Sequence, residues 1–400
     1  MKKQTLCALL LFSVLAVCAY PEGGRIGLSQ ADFTSAPIII TVPGNYVLTE
    51  NVSVSTFFTG GIWVQADDVT IDLNGFTLEG PSDSSGADYG IRQDSQFRGL
   101  TVKNGFIKGW QGAGIYAGGE GNRFDEVTLC ANAAGLNSGP GAQIARCVAV
   151  ENETSADGYG ILATAGANVS SCISMRNWAG GSMSGIWVGD GSVVSDCVVA
   201  RIYGVSSCQG IYAGQGSVVS RCSVGEAGSS TNAVGISAGM GSTVSESAVI
   251  TCSSSGAVYG IYSAGAGMIS HCAADYQDST VTNGAGIRAG ESTYVLESVA
   301  CGNDVQGMWL GNGCRSSKCL TRFNEPVGVQ MGGQDARMQD CLNAVNLDVN
   351  VQVWSLGNLI ARNHAISVQF GTNYEVIAGN RFEPEETSGV FTNAWANFSR

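Results

Sequence analysis

Gly185-Ile186-Trp187-Val188-Gly189 is the stretch on which the reading of this chain turns. Aliphatic residues alternate there with an aromatic at period two between glycines, the pattern of a short strand with Ile186 and Val188 facing inward and Trp187 outward. The pattern recurs. A glycine followed by an aliphatic residue stands at Gly61, Gly90, Gly114, Gly135, Gly160, Gly185, Gly210, Gly235, Gly260, Gly286, Gly307 and Gly328, and from Gly135 to Gly260 every interval is 25 residues. A period of that length marks a solenoid, in which each repeat buries its apolar face only against its neighbours. Eight residues beyond the isoleucine comes a second apolar beat, at Val169, Val194, Val219, Val244 and Ile269, so each repeat holds at least two short strands. Gly-Asp-Gly-Ser and its variants lie between them, where glycine supplies the positive φ of a tight corner.

Two other solenoids of similar period are excluded. Leucine-rich repeats need leucines and a helical segment, yet Leu162 is the only leucine between Leu136 and Leu296. The calcium-binding β-roll needs glycine-aspartate nonapeptides, which are absent. The remaining expectation is an all-β chain folded as a right-handed parallel β-helix of about twelve rungs, a rod of roughly 60 Å at ~4.8 Å per rung. The repeat crosses most of the 400 residues without a Pro-rich or charge-rich linker, which implies one elongated domain. It divides into an export signal over 1–19, an amino-terminal cap over 20–60, the β-helix over 61–345, and terminal rungs with a carboxy-terminal cap over 346–400.

The signal is read from Lys2 and Lys3, the apolar run Leu6 to Val17, and the small-residue pattern Val17-Cys18-Ala19 before Tyr20. Cleavage near Ala19 would leave a secreted, periplasmic or cell-surface protein; a lipid on Cys18 is the alternative. The run is short of the ~20 apolar residues that a membrane span needs. Charged residues are 13% of the chain and the net charge is −13, a surface that repels phosphate backbones and so excludes nucleic acid and anionic membrane as partners.

Pro43-Gly44-Asn45-Tyr46-Val47-Leu48 followed by Ala66-Asp67-Asp68-Val69-Thr70-Ile71-Asp72-Leu73-Asn74-Gly75-Phe76-Thr77-Leu78-Glu79-Gly80 resembles the entry rung of secreted bacterial parallel β-helix repeat proteins of the pectin-lyase-like superfamily. Asn358 to Asn363, Gly379-Asn380-Arg381-Phe382 and Trp395-Ala396-Asn397-Phe398 resemble their closing segment. The resemblance implies the fold. It leaves activity open, because the superfamily holds lyases, hydrolases, epimerases and non-enzymes.

Stacking in register turns a periodic position into a column. One is Cys147, Cys172, Cys197, Cys222, Ser247, Cys272, Ser298, Cys319 and Cys341. Twelve cysteines remain after signal removal, and three states are open to the column: a ladder of free thiols, vertical disulfides, or a soft-metal site. Just before it runs a charged column, Glu126, Arg146, Ser171, Asp196, Arg221, Glu246, His271, Glu297, Lys318 and Asp340. Near-alternating sign is what outward cross-strand partners require. The catalytic alternative draws on Asp196, Arg221, Glu246 and His271, with the two carboxylates about 10 Å apart, close to the separation in inverting glycosidases. A calcium-assisted lyase would need clustered carboxylates, for which Glu151, Glu153 and Asp157 are the nearest approximation. No cofactor is otherwise called for.

The residue after each isoleucine forms a third column, and Trp187, Tyr212, Tyr262 and Trp309 place aromatics there within six rungs. Flat rings on an outward face suit sugar faces, but stacking within the chain or a subunit interface fills the same slots. The expected function is an exported, non-catalytic β-helix binding a glycan or another extracytoplasmic partner at these rings. Two alternatives stand beside it: a polysaccharide lyase, hydrolase or epimerase, and a structural or adhesive rod.

Overall fold

A computed structural model describes residues 24–35, 37–54, 60–81, 88–280, 284–366, 372–382, 385–386 and 397–399. The export signal over 1–19 and Trp395 of the closing motif lie outside them. The chain is an all-β parallel solenoid. Among the described residues there is no α-helix, only the 3-10 turn Gln30–Ser35.

Fifteen strands stack into one sheet, from Ile38–Ile40 to Thr372–Val376, every neighbouring pair parallel. Twelve of them carry the glycine-aliphatic beat. The other three, Ile38–Ile40, Val349–Val353 and Thr372–Val376, lack the glycine and were beyond the reach of the pattern. Ile38–Ile40 falls in the segment read as a cap, yet it pairs in register with Ile62–Val64. Equivalent residues are held one above another: Ile161, Ile186, Ile211, Ile236 and Ile261 are successive register partners, and all are fully buried. At 1.5 to 3 kcal/mol for each buried aliphatic side chain, roughly, this column is a main source of cohesion between coils.

The glycine before each isoleucine is fixed by packing and not by a corner. A Cβ on Gly185 would stand 2.3 Å from the Val199 methyl across the coil and 2.7 Å from the Gly210 carbonyl oxygen. Gly191, in Gly-Asp-Gly-Ser, is the one at positive φ (65°).

The remaining sides of the coil belong to a second sheet of 33 strands, bent at left-handed corners. One coil shows the scheme: Gly191 at φ 65°, then Val193–Ser195, then Asp196 at φ 56°, then Val198–Gly204 with a third left-handed residue, Arg201, at φ 53°. From Arg146 onward the charged column thus stands at corners between sheet arms, where the sequence reading had it on strands, while Glu126 lies within the strand Arg123–Cys130. Arg146, Ser171, Asp196, Arg221, Glu246 and His271 all have φ between 49° and 56°.

After many of these corners the chain turns a small polar or thiol side chain inward, where it accepts the backbone N–H of its equivalent one coil earlier. Ser217 Oγ accepts from Ser192 N at 3.1 Å, Asn177 Oδ1 from Asn152 N at 2.9 Å, and Cys197 Sγ from Cys172 N at 3.4 Å. Ser247 Oγ serves Cys222 N at 3.1 Å and Asn363 Oδ1 serves Cys341 N at 2.9 Å in the same column as the cysteines. Cysteine, serine and asparagine are interchangeable there because each offers an acceptor to a buried donor that would otherwise be orphaned. The twelve cysteines are unbridged.

Candidate functional site

The charged corner is a ladder of ion pairs. Arg221 grips Asp196 with two hydrogen bonds, Nε to Oδ1 at 2.7 Å and Nη2 to Oδ2 at 2.9 Å. Arg146 bonds Glu126 at 2.9 Å, Glu297 is shared by His271 at 2.8 Å and Lys318 at 3.1 Å, and Arg362 closes on Asp340 at 2.7 Å. The third corner column repeats the device with Arg176 on Glu151 and Arg201 on Glu226. These groups are exposed. The hydrogen bonds of Arg221 hold the Asp196 carboxyl below its ordinary range, which is the wrong direction for a general acid. Between Asp196 and Glu246 there stands a guanidinium, where an inverting glycosidase needs room for a water.

Glu151, Glu153 and Asp157 do not converge. Glu151 is committed to Arg176 at 3.0 Å, and Asp157 accepts the Ser182 N–H at 2.7 Å. Among the described residues, no group of three or more His, Cys, Asp or Glu side chains is placed to hold a metal ion. Burial pushes the Cys272 thiol up to about 11, while Cys172 and Cys197, hydrogen-bonded along their own column as well as buried, rise to about 12.

The outer face of the fifteen-stranded sheet is different in kind. Trp187 and Tyr212 are register partners on adjacent strands, Ser182–Val188 and Ser207–Ala213, and their rings stack with centroids 5.3 Å apart and planes within 11°. One coil past the intervening Ser237 come Tyr262, Arg288 and Trp309, again successive register partners. The Arg288 guanidinium lies 4.9 Å from the Tyr259 ring, 5.6 Å from Tyr262 and 4.9 Å from Trp309, and it donates to the Tyr259 hydroxyl. Toward the amino terminus the same column holds Arg92 over Trp63 at 4.8 Å, with Asp94 bonded to both. The rings are half-buried because each covers its neighbour, so stacking within the chain is part of what the column does.

The structure brings Trp187 to Tyr212, and Tyr262 to Trp309 through Arg288. Arg288, the residue after Ile287, falls in the same column by the period alone, but sequence reasoning assigned it no role and passed over Tyr259. A signal was available: Tyr89, Tyr159 and Tyr259 each immediately precede a beat glycine, and Tyr89 packs on Tyr116 with centroids 5.2 Å apart.

The class this fold defines is the parallel β-helix. No protein-family model matches the chain, and no curated protein matches it. Solved structures similar to it include the mannuronan C-5 epimerase AlgE4 A-module of Azotobacter vinelandii, 10% identical, covering 89% of this chain and 89% of that one, with TM-score 0.32. A mutant tailspike protein of E. coli bacteriophage HK620 in complex with hexasaccharide is 9% identical, over 87% of this chain and 71% of that one, with TM-score 0.33. A mannuronic acid specific polysaccharide family 6 lyase from human gut microbiota is 10% identical, over 90% and 85%, with TM-score 0.33. Among the described residues, no helix is long and apolar enough to cross a membrane.

Proposed function

We propose that this protein is an exported parallel β-helix, secreted, periplasmic or held at the cell surface, that binds polysaccharide along the outer face of its fifteen-stranded sheet without turning it over. The observation that carries the reading is the stacked, near-parallel Trp187–Tyr212 pair, continued along one column by Tyr262 and Trp309. Aromatic rings one or two coils apart along one column offer the apolar faces of sugar rings a platform, and aromatic contacts contribute about 0.5 to 1.5 kcal/mol each beyond their area. The charged corner lies on another side of the coil, and its Asp196 and Glu297 carboxylates are engaged by cations. It supports cohesion between coils better than it supports hydrolysis.

The test is retention of the purified protein on acidic and neutral polysaccharides, with new reducing or unsaturated ends assayed in the same samples. Trp187→Ala with Trp309→Ala is expected to weaken retention by more than about tenfold, the loss of two contacts of about 1 kcal/mol each. Its unfolding temperature should change little. Unchanged retention with a lowered unfolding temperature would assign the column to internal stacking, and glycan cleavage abolished by Glu246→Gln in a folded protein would replace binding with catalysis.

A further inference from the structure

Two arginines stand in the aromatic column, and their surroundings differ in one respect. Arg92 lies over Trp63 and has a counter-charge, with Asp94 Oδ1 at 2.9 Å. Arg288 is enclosed by three rings and makes no ion pair among the described residues, in a chain whose 33 carboxylates outnumber its 20 arginines and lysines. The π faces of Tyr259, Tyr262 and Trp309 stabilise the cation but accept none of its in-plane N–H groups. A guanidinium has five such donors in a planar fork, and one of them is given to the Tyr259 hydroxyl.

Resting on the platform reading above, we propose that Arg288 is an anion-recognition residue of that platform, and that the glycan carries a carboxylate or a sulfate group. Tyr262 lies one coil before Arg288 and Trp309 one coil after it, in register. A sugar stacked on either ring therefore presents its substituents to the guanidinium between them. Carboxylate and sulfate oxygens match the fork in bidentate fashion, which a lysine ammonium does not reproduce. The flanking rings also exclude water from the contact, which strengthens it over an exposed ion pair. A neutral sugar would leave the cation without its counter-charge and gain only the stacking.

Affinity electrophoresis of the full chain through gels holding alginate, dextran sulfate or dextran tests this, with Arg288→Gln and Arg288→Lys compared at low and high ionic strength. One of the anionic glycans is expected to retard the parent protein more than dextran does, with retardation falling as salt rises; which of the two does so separates carboxylate from sulfate. Arg288→Gln should weaken that retardation by roughly tenfold or more, as loss of a charged hydrogen-bond partner does. Arg288→Lys should recover part of it, and dextran mobility should not change. Equal retardation of parent and Arg288→Gln by the acidic glycan, salt-insensitive retardation of the parent, or dextran binding as strong as the anionic glycans would each overturn the anion assignment and leave the platform standing. Retardation by none of the three glycans would overturn both.

Discussion

Replacing Ser247 by alanine removes one oxygen and isolates one donor. Ser247 is 2% exposed; its Oγ accepts the Cys222 N–H at 3.1 Å and donates to the Ser245 carbonyl at 2.8 Å. In Ser247→Ala the Ser245 oxygen still receives the Arg221 N–H at 3.1 Å, so only the Cys222 donor is orphaned. A buried donor left without a partner costs about 1 to 3 kcal/mol, about 5- to 150-fold in a local opening equilibrium. Ser247→Cys restores the arrangement found at Cys197, whose sulfur accepts the Cys172 N–H at 3.4 Å. Sulfur is a weak acceptor, so this variant should fall between serine and alanine. Amide hydrogen exchange at Cys222 reads the effect directly, and it suits a solenoid, whose unfolding need not be two-state. Faster exchange in Ser247→Ala, largely reversed in Ser247→Cys, is the expected result. Equal protection in all three proteins, or a cysteine variant as weakened as the alanine one, would refute the acceptor role of this column.

Ile211→Asp places an unpaired carboxylate in a column with no exposure and should cost more than about 4 kcal/mol; chemical unfolding measures it, and a parent-like midpoint would contradict the inward assignment. Alkylation of the native protein at mildly alkaline pH should reach the half-buried Cys130 and Cys301 first and spare the buried ladder, whose Cys172 and Cys197 thiols are also raised, whereas denaturation without reductant should open all twelve cysteines. Mass spectrometry counts the adducts, and a deficit after denaturation would reveal disulfides. Arg221 lowers the Asp196 pKa in the folded protein, so the ladder's contribution is present above the ordinary aspartate value of about 3.9 and is lost as pH falls through the depressed folded one. Arg221→Gln should move the Asp196 titration upward by NMR, and an unmoved curve would show that the pair does not hold in solution.

The period, the inward isoleucines and the Gly191-type corners were legible because each rests on one residue type repeated at one spacing. The aromatic slot was legible for the same reason. The cation bridging Tyr262 and Trp309 was not, since it depends on where the long Arg288 side chain lies across two coils. The charged column was read as strand because arginine, glutamate and lysine are not the usual left-handed residues, and nothing in an alternation of sign distinguishes a corner from an edge. The asparagine ladder escaped for another reason. Asn132, Asn152 and Asn177 are separated from Asn303, Asn324 and Asn346 by Ile202, Ala227, Cys252 and Gln277 in the same slot, so the column has no constant chemistry to detect.

The inward acceptors give the rod a direction. Asn177 serves Asn152, Ser217 serves Ser192, Cys197 serves Cys172 and Ser247 serves Cys222: in each case the later coil satisfies the earlier one. A coil laid down from the amino terminus is left with bare N–H groups at its corners until its successor arrives, and the successor then inherits the same need. Trimming the rod from the front therefore leaves these side-chain acceptors without their corner donors, whereas trimming it from the back leaves the corner donors without these acceptors. At these corners the two ends of an outwardly uniform molecule are chemically unequal, for one end presents side-chain acceptors and the other the N–H groups they would have served.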